Sequence, residues 1–205
     1  SALLQYVTEI VQRYKNSTSI VYWQVENEPL FQFGKCPSWY YQSEDFLKQE
    51  VALVKSLDPS RKIIVSDSGE QSNWQEAAKI GDIVGTTMYR SYWAKGVKTY
   101  NSDPYAFLEP SFYQKKVDSV KNNFSKDVIC IELQTEPWTT TPWAQAPIEE
   151  TIDSMNGQML KDNVEYAKQT GINTFYFWGV EWWYWLKIKH NQPQLWDSAK
   201  QLFGQ

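Results

Sequence analysis

RKIIVSDSGEQSNWQEAAKIGDIVGTTMY, residues 61–89, holds two apolar, β-branched runs, Ile63–Val65 and Ile83–Val84, separated by one short amphipathic segment. Runs of this length and composition read as strands buried on both faces, and Trp74–Gly81 reads as the helix that crosses between them. Strand, short helix and strand in immediate succession make a right-handed crossover, and therefore a parallel pair.

The same alternation continues outward in both directions. Upstream, ALLQYVTEIVQRY places Leu3, Leu4, Val7, Ile10, Val11 and Tyr14 on one helical face, and SIVYWQVE follows the polar break Lys15-Asn16-Ser17 as a strand. Ser43 then precedes EDFLKQEVALVKSLD with acids in its first turn, an N-cap signature, and Pro59 closes that helix. Downstream, PSFYQKKVDSVKNNF reads as a helix, DVICIEL as a strand, IEETIDSMNGQMLKDNVEYAKQTG as one long helix ended by Gly171, INTFYFWGV as a strand and QLWDSAKQLF as a last helix. The expectation is five strands and six helices in a single α/β domain over residues 1–205.

Such a sheet is either open and doubly wound or part of a closed barrel. No glycine-rich phosphate loop follows any strand, since Gly69 and Gly85 stand alone, which removes the best support for a nucleotide-binding doubly wound fold. Every strand ends instead in polar or aromatic residues: Asn27 and Glu28, Ser66 and Asp67, Tyr89 and Arg90, Glu132, then Trp178. In a TIM-type β/α barrel those ends form the rim that carries the chemistry. A complete barrel uses eight strands in roughly 250 residues, so this chain is expected to be a partial barrel.

Composition narrows the partners. Trp 11, Tyr 13 and Phe 9 make 16% of the chain, more rings than a core needs, so some should line a surface that binds flat, partly apolar groups such as sugars. A net charge of −4 without a basic stripe argues against nucleic acid. With one histidine, His190, and two cysteines, Cys36 and Cys130, the usual zinc ligand sets cannot be assembled, and chemistry without a metal or other cofactor is expected. The cysteines read as small apolar fillers and His190 as a surface residue. No apolar run approaches the ~20 residues of a membrane span, and SALLQYVTEI lacks the order of a signal peptide. The compartment stays open; a secreted or cell-surface setting, with any leader outside this chain, fits the composition. The sequons at Asn16 and Asn123 are short enough to arise by chance.

Glu28 and Glu132 end two different strands with a Tyr-bearing strand end between them. Hydrolysis of a glycosidic bond with retention needs a carboxylic acid and a carboxylate roughly 5–5.5 Å apart, one to protonate the leaving oxygen and one to attack the anomeric carbon. WQVENEP resembles the Asn-Glu-Pro motif of glycoside hydrolase clan A, a set of retaining, cellulase-like (β/α)8 enzymes; VICIEL resembles the end of their seventh strand, and TFYFWGVEWWYW their eighth with its Trp. The resemblance runs from the opening helix to Phe203, so the five strands would be strands four to eight and the first three are missing.

The resemblance implies Glu28 as general acid/base, Asn27 as donor to the sugar 2-hydroxyl, Glu132 as nucleophile, Tyr89 as its hydrogen-bond partner and Trp178 as the floor beneath the sugar. Glu136, in ELQTEPW, rivals Glu132; the apolar run Val128–Ile131 delivers Glu132 directly to a strand end, so Glu136 and the nearby Trp138 are placed as substrate contacts. At least one of Trp182, Trp183 and Trp185 should face the cleft, with Trp182 singled out. Arg90 and Asp67 are expected to form ion pairs only. The expected substrate is a β-linked oligo- or polysaccharide cleaved by double displacement. The rival expectation is a non-catalytic carbohydrate-binding barrel; an aldolase or phosphate-handling barrel is disfavoured because no strand ends in the Lys of a Schiff base. The missing strands are accounted for by a fragment of a longer enzyme, by a complementing N-terminal half, or by self-association through raw sheet edges, the fragment being preferred.

Overall fold

A computed structural model describes residues 1–31, 43–91, 108–139 and 141–204; Cys36 lies outside them. Five strands, β1 Tyr22–Gln24, β2 Lys62–Asp67, β3 Ile83–Met88, β4 Asp127–Gln134 and β5 Phe175–Trp178, follow the order β1-β2-β3-β4-β5 in one sheet. The pairs β1–β2, β2–β3 and β4–β5 are parallel. An order that keeps step with the chain has no switch point, which is where a doubly wound sheet reverses. With helices between the strands, this is the topology of a TIM-type β/α barrel carrying five strands of eight.

The chain divides into two compact units, Ser1–Thr86 with Lys116–Ile129, and Thr87–Lys115 with Cys130–Gln205. In the first, α1 Ala2–Tyr14 starts at Ser1, whose hydroxyl accepts from the Leu4 N–H, and packs on α2 Glu44–Leu57. Ser43 caps α2 by accepting from the Phe46 N–H, as its position before two acids predicts. The short α3 Gln75–Ile80 returns the chain from β2 to β3. Ile63, Val65 and Val84 are fully buried, each contributing roughly 1.5–3 kcal/mol by leaving water.

Arg61 ties the loop between α1 and β1 to the start of β2. Its guanidinium donates to the carbonyls of Ile20 at 2.8 Å and Ser17 at 2.6 Å and to the Asp58 carboxylate. The Ser60 hydroxyl, the Trp23 indole and Arg61 hold the Asp58 carboxyl well below the usual range.

The second unit contains α5 Ile148–Ser154, α6 Gly157–Ala167, α7 Val180–His190 and α8 Gln194–Leu202, while α4 Pro110–Phe124 begins in it and continues into the first. Its core gathers Leu160, Trp182, Trp183, Leu186, Leu195 and Ala199 from α6, α7 and α8 with Met155, the residue that follows α5. Among the described residues no helix is long and apolar enough to cross a membrane.

Three sequence expectations need correction. SIVYWQVE forms only the three-residue β1, an edge strand exposed on one side, because the chain bends away from Glu26 onward, after Val25 has made its bond to Ile64. The long helix is two: Met155 is extended, and the Asn156 side chain accepts from the N–H groups of Gln158 and Met159, so a polar cap restarts the helix at Gly157. VEWWYWLKIKH forms a further helix, α7; Trp182, Trp183 and Leu186 form its buried face while Tyr184 and Ile188 face outward. Aromatic residues all round that helix mask its period. The described residues thus carry eight helices where six were expected.

Candidate active site

In the first unit, the turn after β1 presents Asn27 and Glu28. Val25 makes a last ladder bond to the Ile64 carbonyl at 3.2 Å. Glu26 and Glu28 then adopt left-handed backbone conformations, φ 60° and 44°, on either side of Asn27. Non-glycine residues in that region cost of order 1–3 kcal/mol each and persist where surrounding contacts over-determine them. Here the Glu28 N–H donates to the Ser66 hydroxyl at 2.8 Å, the Gln24 amide donates to the Glu26 carbonyl at 3.2 Å, and Pro29 is buried. Asn27 is exposed and Glu28 half-buried. Ser66, at the end of β2, is therefore a supporting residue for Glu28 that its place in the sequence did not disclose.

Asp67 and Lys116 form a buried patch in the same unit. The Lys116 ammonium donates to the Gly69 carbonyl at 2.6 Å and lies 4.0 Å over the Trp74 ring; burial pushes its pKa down to about 8. Burial pushes the Asp67 carboxyl up, against the Ser72 hydroxyl, the Ser68 N–H and the Lys116 charge. Arg90, in the second unit, stacks 3.7 Å over the Tyr166 ring and donates to the Leu108 carbonyl at 3.3 Å, rather than serving only in an ion pair.

Most of the other expected site residues converge in the second unit around the end of β4. The register between β4 and β5 runs Cys130 to Phe175 and then Leu133 to Phe177, so β4 carries one extra residue across Ile131–Glu132. A bulge of this kind breaks the two-residue alternation and re-aims a side chain. Glu132 sits in it, half-buried, and its carboxylate accepts from the Tyr89 hydroxyl at 2.8 Å. Burial pushes the Glu132 carboxyl up and the Tyr89 hydrogen bond opposes the shift. The Tyr89 ring packs 5.3 Å from that of Trp138, whose N–H donates to the Ser154 hydroxyl at 3.1 Å.

Glu136 follows one turn of chain later. Its carboxylate accepts from the Trp178 indole at 2.9 Å. Burial raises its pKa as well, with the charges of Glu181 and Glu132 adding to the shift and the indoles of Trp178 and Trp143 opposing it. Trp178 is 46% exposed, leaving its ring open to solvent at the end of β5. Two carboxylates, a phenol and an open indole thus share one strand-end region, which suits a polar ring with apolar faces.

Trp182 is corrected. It is fully buried among Met155, Leu160 and Leu195, and its position two residues into α7 turns it into the helical core rather than toward a sugar. Trp183 is also buried, its indole donating to the Thr135 carbonyl at 2.7 Å, while Trp185 meets Trp143 edge to face at 5.2 Å. His190 is exposed at the end of α7, and Cys130 is a buried free thiol, as expected. Asn27 and Glu28 belong to the first unit, and Tyr89, Glu132, Glu136, Trp138 and Trp178 to the second.

Comparison with known proteins places the chain in a family. The pattern of the family described as glycosyl hydrolases family 2, TIM barrel domain, matches residues 1–172. The chain belongs to that family. As a member of glycosyl hydrolases family 2, it is 34% identical over 91 residues, 44% of its length, to the human (Homo sapiens) β-glucuronidase. It is 30% identical over 70 residues, 34% of its length, to the probable mannan endo-1,4-β-mannosidase A of Aspergillus niger. These stretches span 13% and 17% of the curated relatives. Among solved structures, a GH2 β-galacturonidase from Eisenbergiella tayi bound to galacturonate aligns with 85% of this chain and 28% of its own at TM-score 0.54 and 13% identity. The β-D-glucuronidase of Dictyoglomus thermophilum aligns with 86% and 28% at TM-score 0.52 and 16% identity. At such identities the likeness is one of fold, and it agrees with the partial barrel described above. The family assignment supports a glycoside hydrolase.

Proposed function

We propose that residues 1–205 form one partial barrel domain of a retaining glycoside hydrolase of the clan A type, acting on β-linked oligo- or polysaccharides through a covalent glycosyl-enzyme intermediate. The observation that carries the reading is Glu132, delivered by a bulge at the end of β4 and hydrogen-bonded to Tyr89. The human β-glucuronidase and the Aspergillus endo-1,4-β-mannosidase are both named for β-linkages, which supports the linkage.

In the first step the Glu132 carboxylate forms a bond to the anomeric carbon while the glycosidic carbon–oxygen bond breaks, and the Glu28 carboxyl gives its proton to the departing oxygen. In the second, Glu28 takes a proton from water, the oxygen of that water attacks the same carbon, and Glu132 leaves as carboxylate. Asn27 donates to the 2-hydroxyl, Trp178 stacks beneath the ring, and Glu136 and Trp138 contact neighbouring hydroxyls and faces. Tyr89 donates a hydrogen bond to the ionised nucleophile, which favours the charged form that the first step requires.

Two inversions at one carbon restore its configuration. Proton NMR during early hydrolysis of an aryl β-glycoside is expected to show the β-anomer of the released sugar first, with the α-anomer appearing only at the rate of mutarotation. Initial release of the α-anomer would mean single displacement and would remove Glu132 as nucleophile.

A further inference from the structure

We propose that Gln134 is a positioning residue, holding the segment Tyr89–Ser91 against the end of β4 so that the Tyr89 hydroxyl meets the Glu132 carboxylate. The inference rests on the catalytic reading of Glu132 given above. Gln134 is fully buried and lies two residues beyond Glu132, where β4 comes back into register opposite Trp178. Its side-chain oxygen accepts from the N–H groups of Arg90 and Ser91, both at 2.9 Å, and its amide nitrogen donates to the Ser91 carbonyl at 2.8 Å. Two donors face the oxygen and one acceptor faces the nitrogen, so the chemistry of the neighbours leaves one orientation for the amide.

The consequence reaches Tyr89 through covalent geometry. The Arg90 N–H belongs to the planar peptide group that the Tyr89 carbonyl begins, so gripping it restrains ψ of Tyr89, the rotation that joins this plane to the Cα carrying the phenol. The other end of the lever is held too. The Asn163 amide donates to the Gln134 carbonyl at 3.0 Å, and the Thr135 N–H donates to the Trp178 carbonyl at 3.0 Å. Gln134 is thus pinned by its backbone to α6 and β5 while its side chain holds Tyr89–Ser91. A glutamine side chain is long enough to bridge both N–H groups, and a buried N–H deprived of its acceptor is costly, so the segment would shift to find another.

Among the described residues, the titratable groups that act with Glu132 include the Tyr89 phenol and the Glu136 carboxyl. The test follows the Glu132 carboxyl directly by carbon-13 NMR pH titration of the full chain labelled at glutamate, with its resonance assigned from Glu132→Gln. Tyr89→Phe should raise the titration midpoint of Glu132, because it removes the bond that favours the ionised form. Gln134→Met, similar in length but without acceptor or donor, should raise it in the same direction. The double variant Tyr89→Phe/Gln134→Met should go no higher than Tyr89→Phe alone, since the second change acts only through the bond already removed. Gln134→Asn, a milder change that keeps the amide on a shorter arm, should fall between wild type and Gln134→Met and serves if the latter does not fold. A Glu132 midpoint unmoved in both Gln134 variants, or shifts that add in the double variant, would overturn the proposal. Because the readout is titration and not turnover, failure of the catalytic reading in a labelling experiment remains distinguishable from failure of this coupling.

Discussion

Glu28→Gln is expected to lower kcat/KM on β-glycosides with poor leaving groups by about 10²- to 10⁴-fold, the span of a lost general acid. The same variant should hydrolyse aryl glycosides with highly acidic phenols at close to the wild-type rate of glycosyl-enzyme formation, because those phenolates depart without a proton. A plot of log kcat/KM against leaving-group pKa should therefore be shallow for wild type and steep for the variant. The backbone around Glu28, left-handed at φ 44° and bonded through its N–H to Ser66, is unchanged by an isosteric amide, so the difference reports the proton. Equal loss across the whole series would argue that Glu28 holds substrate rather than protonating it.

Gly179→Ala should lower the stability of the fold by about 2–5 kcal/mol, from backbone strain together with a clash that cannot relax. Gly179 has φ 126°, where an L side chain is strained, and an added Cβ would lie 2.5 Å from the Glu136 Cβ and 2.8 Å from its backbone nitrogen. Neither atom is the end of a flexible side chain. Glu136 must therefore move, and with it the 2.9 Å bond to Trp178 on the adjoining residue. The urea midpoint should fall with little change in slope, and Trp fluorescence of the folded variant should report a changed environment for the exposed indole. An unfolding free energy within about 0.5 kcal/mol of wild type would mean that the chain around Gly179 and Glu136 accommodates a side chain, and the close approach would lose its structural role.

The parallel sheet was legible because β2 and β3 are buried along almost their whole length, and burial on both faces leaves near-continuous apolar runs in the sequence. Helix starts were legible where a polar cap stands before acids, as at Ser43. Asn156 was the same signal in the middle of an apolar-periodic segment, and the period on either side of it outweighed the cap. Of the candidate site, the pairing of Tyr89 with Glu132 was legible, since both stand at strand ends and a 2.8 Å bond joins them. What supports those groups was not. Ser66 accepts from Glu28 and Gln134 grips Arg90 and Ser91 across sequence separations of 38 and more, and no local pattern encodes such pairings. The bulge at Ile131–Glu132 is invisible for the same reason, since it is defined by the partner strand. Trp182 was misplaced because aromatic density alone does not tell a stacking platform from a core.

The central claim is that Glu132 attacks the sugar. Incubation of the full chain with an activated 2-deoxy-2-fluoro-β-glycoside, followed by intact mass and peptide sequencing by mass spectrometry, measures it most directly. A mass gain of one fluoroglycosyl group is expected, carried on Glu132 and lost in Glu132→Gln. Sugar binding with no covalent gain would instead describe a carbohydrate-binding barrel, and a label on Glu136 would assign the attack to the wrong carboxylate; either result contradicts the mechanism proposed here.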